Sequence, residues 1–162
     1  MAVNGAARHR AREAALQMLY QWEVGRAPVP DILRTYWAGR DAPPDPEDEL
    51  ADAVPESALV EDERAYANGL VTGTIERLAD ADELIGAHAK NWRIERMAAI
   101  DRLVLRLAIY ELLARTDTPP AVVINEALEL ARTFSGEEAV PFINGVLDAV
   151  RRSLDRTTSA EP

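Results

Sequence analysis

The 162-residue chain contains no cysteine, which excludes a disulfide scaffold, a thiolate nucleophile, a zinc ribbon and a Cys-ligated iron-sulfur cluster. It has only two histidines, His9 and His88. With no glycine-rich phosphate loop and no Ser/His/Asp order that a fold would assemble, it offers no catalytic constellation, no metal-ligand spacing and no cofactor fingerprint. No apolar run approaches the roughly 18 residues that a bilayer span needs. Residues 1–12 lack the apolar stretch of a secretory signal, so the expectation is a cytoplasmic, non-enzymatic protein without a membrane partner.

What is present is a globular balance. Hydrophobic residues make up 48% and charged residues 28%, which is enough to build a core and rules out global disorder. The length favours a single domain, expected over 1–155, followed by a polar tail at 156–162. The formal charge of -10 is distributed unevenly. Residues 1–38 carry five arginines against three acids; residues 39–63 carry one arginine against ten. That acidic stretch, GRDAPPDPEDELADAVPESALVEDE, holds four prolines and no aromatic ring. It has too little apolar surface to offset its ordering entropy, which predicts a disordered loop at about 39–60. The alternative is an acidic decoy that competes with nucleic acid for the arginines upstream.

The rest reads as helix, with no sustained apolar/polar alternation, so the class is all-α. A first helix is predicted over 8–24, with Ala15, Leu16, Leu19 and Trp22 on its apolar face and Gly25 as its stop. A short helix over 31–37 has Asp31 as its cap. Helices over 65–79 and 81–90 follow, the second capped by Asp80, and then a long central helix over 94–114. Thr118 is predicted to cap a helix that Pro119 and Pro120 open and that Ser135-Gly136 ends. Ser135-Gly136-Glu137-Glu138 spells a capping box. The last helix repeats Ile143, Val146, Val150 and Leu154, and the residues from 155 onward are expected to fray. The count is seven helices.

The informative charge cluster is Arg8-His9-Arg10-Ala11-Arg12. Cations at a helix N-terminus oppose the macrodipole by about 0.3 to 1 kcal/mol each, and an anionic partner would compensate. Arginine grips phosphate bidentately and stacks on bases. Phe134 and Phe142 bracket the turn SGEEAVP, where ring faces near positive charge would suit unpaired RNA. Other readings are a solvated helix start and rings that belong to the core.

These segments carry a family resemblance. RHRAREAALQMLYQWEVG, WRIERMAAIDRLVLRLAIYELL and PPAVVINEALELARTFSGEEAVPFINGVLDAVRR, in that order and spacing, resemble the bacterial transcription antitermination factor NusB family over about three quarters of the chain. The resemblance implies a seven-helix fold of two small bundles. It also implies an RNA-binding antitermination factor that pairs with NusE, a small ribosomal subunit protein, on single-stranded boxA RNA of ribosomal leader transcripts, within the RNA polymerase antitermination complex. Matching positions imply RNA contacts at Arg8, His9, Arg10, Arg12, Phe134, Glu138 and Phe142, and partner contacts at Tyr20, Glu95 and Asp101. His9 replaces a commoner basic residue, which would make affinity depend on pH. Rival readings are a protein-only helical module that forms a homodimer, and a NusB-like accessory domain of an RNA methyltransferase. The missing cysteine counts against the second.

Overall fold

The structure, a computed structural model, describes residues 4–42, 61–114 and 117–160. Among the described residues there are seven α-helices and two 3-10 turns and no strand, the all-α, seven-helix class expected. The chain divides into two compact units, Met1–Gly69 and Leu70–Pro162.

In the first unit, α1 (Gly5–Gly25) starts earlier than the apolar pattern alone implies. The Asn4 side chain accepts the Ala7 N–H at 2.9 Å and so satisfies one of the donors that every helix start leaves open. Ala7, Ala11, Ala14 and Ala15 are buried beside Leu16, Met18 and Leu19. The helix stops through Arg26, which adopts the left-handed conformation at φ 54° and donates its N–H to the Trp22 carbonyl. The predicted stop, Gly25, is instead the last helical residue.

Helix α2 (Val29–Asp41) packs on α1. It is opened by Pro28 and Pro30, and Asp31 is not its cap but a first-turn residue paired with Arg34 at 2.8 Å. Prolines suit the first turn because its N–H groups have no helical partner. Ile32, Tyr36 and Trp37 face inward. The Tyr36 hydroxyl donates to Gln17 of α1 at 2.7 Å, and the Trp37 indole N–H donates to Asn68 of α3 (Glu61–Glu76) at 2.8 Å.

Of the predicted acidic loop, residues 43–60 lie outside the described residues. Its two ends are helical: Gly39–Asp41 closes α2 and Glu61–Glu63 opens α3. The ends are joined by the Arg64–Asp41 ion pair, one of whose hydrogen bonds measures 2.9 Å.

In the second unit, α4 (Leu78–His88) begins at Arg77, and Asp80 pairs with Arg77 at 2.6 Å without capping the helix. The long helix expected over 94–114 is broken. Ile94–Arg96 forms a 3-10 turn, and α5 (Ala99–Ala114) follows after Met97 and Ala98. Every residue of α5 from Leu103 to Ile109 is buried, and α5 packs on α4, α6 and α7. At about 1.5–3 kcal/mol for each fully buried Leu, Ile or Val, this helix dominates the apolar core of its unit. Arg106 lies within that stretch and is neutralised by Asp82, which accepts from Nε at 2.7 Å and Nη2 at 2.9 Å.

Helix α6 (Pro120–Phe134) has Pro119 at its cap position, so Thr118 is a buried residue before the helix and not the side-chain cap expected. The capping box is not formed either, because the 3-10 turn Glu137–Ala139 starts at Gly136 with no side-chain cap. Helix α7 (Val140–Ala160) buries Ile143, Val146, Leu147 and Val150 and stays helical to Ala160, through most of the tail that was expected to fray. No helix among the described residues is long and apolar enough to cross a membrane.

Candidate nucleic-acid interface

The N-terminal arm is the first two turns of α1, and the N-terminal part of α3, which lies in the same unit, meets it. Arg12 is 2% exposed, and its Nη2 points to the Tyr66 hydroxyl at 3.4 Å. Arg8 is half-buried, with its guanidinium 5.4 Å from the centre of the Tyr66 ring. Residues four apart share a helix face, and on α1 that shared face presents both guanidinium groups to one tyrosine.

Arg10 reaches Glu63 at 2.7 Å, with 44% of its own side chain exposed against 6% for Glu63. His9 contacts Glu13 one turn along at 2.9 Å, each about one third exposed. The spacing alone therefore overstates the arm as an open cluster of three guanidinium groups. Arg12 is an interior residue, which departs from the open phosphate contact expected of it: its guanidinium lies inside the unit against the Tyr66 hydroxyl. Arg10 is the most exposed of the three.

In the second unit, Phe134, Glu138 and Phe142 flank one turn. Phe134 ends α6 and is half-buried, Glu138 is exposed in the 3-10 turn, and Phe142 is half-buried in the first turn of α7. The Glu138 carboxylate folds back over Gly136; a Cβ there would lie 2.5 Å from its Oε1. Arg132, near the end of α6, pairs with Glu129 at 2.6 Å and lies 3.5 Å from Glu137.

The expected partner positions are Tyr20 on α1, 44% exposed; Glu95, exposed in the 3-10 turn; and Asp101 in the first turn of α5. Asp101 is half-buried, and its Oδ1 is shielded from solvent without a hydrogen-bond partner. A carboxylate in a first turn is favoured by the helix dipole. Among the described residues no group of His, Asp or Glu is arranged to hold a metal ion.

Sequence reasoning passed over two features. Glu63 and Tyr66, which hold the arm, stand more than fifty residues away in sequence, and no local pattern links them to it. Trp92 is 58% exposed, with its ring 5.6 Å from that of Phe142. Its signal was legible: an aromatic residue in the polar run Lys90-Asn91-Trp92-Arg93.

The sequence matches the profile described as the NusB family over residues 9–152. It is 46% identical over 153 residues to the transcription antitermination protein NusB of Solibacter usitatus, covering 92% of this chain and 91% of that protein. Among solved structures, T. maritima NusB is similar at a TM-score of 0.70 and 32% identity, over 90% of each chain. A crystal structure of the antitermination factors NusB and NusE in complex with dsRNA contains a chain similar in fold, at a TM-score of 0.73 and 23% identity, over 93% of this chain and 99% of that one.

Proposed function

The chain belongs to the NusB family of transcription antitermination proteins, a regulatory and non-enzymatic family, and from that premise we propose that it holds single-stranded boxA RNA of ribosomal leader transcripts together with NusE, as part of the RNA polymerase antitermination complex. The observation that carries this reading is the family match over residues 9–152, which includes the arm from His9 onward and the turn between α6 and α7. The crystallised NusB, NusE and RNA assembly supports the choice of partners.

Within the arm the roles divide by exposure. Arg10 supplies the charge that an RNA phosphate meets, with Arg8 beside it on the Tyr66 ring. Arg12 acts beneath them as a positioning residue that fixes α1 against α3. Phe134 and Phe142 offer ring edges to bases, and the Glu138 carboxylate, held over Gly136, opposes phosphate and biases the path of the strand. Tyr20 in the first unit, and Glu95 with Asp101 in the second, each supply polar contacts to NusE of the kind found at an interface rim.

Gel-shift titration with boxA RNA, a scrambled strand and a duplex, with and without NusE, at two salt concentrations tests this. The boxA strand is expected to bind best, and better with NusE. Arg8→Gln with Arg10→Gln keeps a hydrogen-bond donor for Glu63 and removes two charges. It should flatten the dependence of log affinity on log salt by about one to two units, at roughly 0.7 per phosphate on a single strand. An unchanged slope overturns the role of the arm. Arg12→Ala is expected to act differently, lowering stability by about 1–3 kcal/mol because a buried charged hydrogen bond is lost. Binding by NusE alone, with no RNA affinity in any mixture, would instead favour a protein-only module.

A further inference from the structure

Between α4 and α5 the chain makes a short excursion in which Glu95 alone has been given a role, as a partner contact. Helix α4 ends at His88, and Asn91 takes the left-handed conformation at φ 67°, which asparagine adopts more readily than most residues. The turn delivers Trp92 to the surface. The Trp92 and Phe142 planes are inclined at 52°, so neither ring covers the other, and more than half of Trp92 stays open to solvent.

The indole lines a groove of about 600 Å³ with Asp82, Gly86, Arg93, Ile94, Glu95 and Arg96. Its charge is decided by pairing. Asp82 is neutralised by Arg106 through two hydrogen bonds. Arg93 and Arg96 are both exposed, and among the described residues neither has an ion-pair partner. Two unopposed guanidinium groups against the single carboxylate of Glu95 leave the groove positive, on a chain of formal charge -10. The platform is also held in place: the Arg102 side chain donates to the carbonyls of Ile94 and Met97 at 3.2 and 3.3 Å, which ties the 3-10 turn to the start of α5.

We infer that Trp92, set against Phe142 and flanked by Arg93 and Arg96, is a stacking platform for one unpaired nucleotide, the indole taking the base and the arginines its phosphates. This rests on the RNA-binding reading above and extends it to Trp92, Arg93 and Arg96, which that reading does not use. An exposed aromatic face beside unpaired arginines is the arrangement that retains single-stranded nucleic acid, since every base has a face to stack and every linkage a charge. A protein segment would gain less here, because the groove offers a single large apolar ring between charged side chains.

The test compares the whole chain with Trp92→Ala, Trp92→Phe and Arg93→Gln/Arg96→Gln, titrated with boxA RNA and with a strand of the same length whose bases are removed. Trp92→Ala is expected to weaken the natural strand about tenfold, a stacking contribution within the usual range for one base. Trp92→Phe should recover most of that loss, and the thermal melt should not move. On the abasic strand Trp92→Ala should have no effect, while the double arginine variant should lose affinity on both strands. If the natural chain binds RNA and Trp92→Ala binds equally well, the platform is wrong and the broader reading stands. If the natural chain binds no RNA, both fall. If Trp92→Ala weakens NusE association without RNA and leaves RNA affinity intact, the groove belongs to a protein partner and the inference fails.

Discussion

At the residue scale, like residues play unlike parts, and surroundings decide which. Gly69 and Gly73 stand one turn apart on α3. A Cβ at Gly69 would meet nothing within 4 Å, whereas one at Gly73 would lie 2.1 Å from the ring of Tyr110. Gly69→Ala should therefore stabilise the chain by about 0.5–1 kcal/mol, since glycine within a helix has more backbone freedom to lose. Gly73→Ala should destabilise it by about 1–3 kcal/mol, because the tyrosine must be pushed aside in a packed region. Urea melts of the two variants check this, and equal shifts would show that Tyr110 moves freely. The arginines follow the same rule: Arg10 and Arg12 are two residues apart, yet one is largely at the surface and the other is interior.

At the scale of elements, periodicity located the helices well and their ends less well. The apolar repeats of α6 and α7 are explicit in the sequence. The break at Met97 and Ala98 is not, because Ile94, Met97 and Ile100 continue a helical spacing across it; the Arg102 hydrogen bonds to two carbonyls hold the alternative conformation. Similarly, Asp31, Asp80 and Thr118 have good capping chemistry, but prolines or ion pairs occupy the helix starts in their place. The Asp41–Arg64 pair belongs to this scale too, since it clasps the end of α2 to the start of α3 across the acidic stretch.

Hydrogen bonding from Arg64 holds the Asp41 carboxyl below its ordinary range. A carboxylate whose folded pKa is depressed stabilises the fold above the unfolded value near 3.9, and that contribution is lost as pH falls through the folded value. Asp41→Asn should thus lower the melting temperature slightly at pH 7, and the difference should shrink as pH falls through the acid range, the pair being too exposed for a larger effect. With the ends clasped, replacing residues 43–58 by a short Gly-Ser linker should leave the helical circular dichroism and the cooperative melt intact. A lost transition would show that the stretch is structural.

For the whole molecule, the net charge of -10 would argue against an RNA partner, but ten of the acids lie in residues 39–63. Distribution outweighs the total because screening confines each charge to about 8–10 Å at physiological salt. The same reasoning applies to the partner rim. Asp101→Lys reverses a charge in the first turn of α5 and should weaken NusE association, reducing the association rate most at low salt. Its melt should fall only modestly, because among the described residues Asp101 has no ion pair to break and the reversed charge opposes the helix dipole by about 0.3–1 kcal/mol. Unaltered association would place the interface elsewhere.

The sequence by itself determined the all-α class, the helix count, the segregation of charge and the family, because these depend on local periodicity, composition and ordered motifs that any chain of this pattern carries. Only the tertiary structure decided that Arg12 is interior, that Glu63 meets Arg10 and that Trp92 faces solvent beside Phe142. A helical repeat tells which residues share a face, but whether that face is covered depends on another element brought against it from elsewhere in the chain.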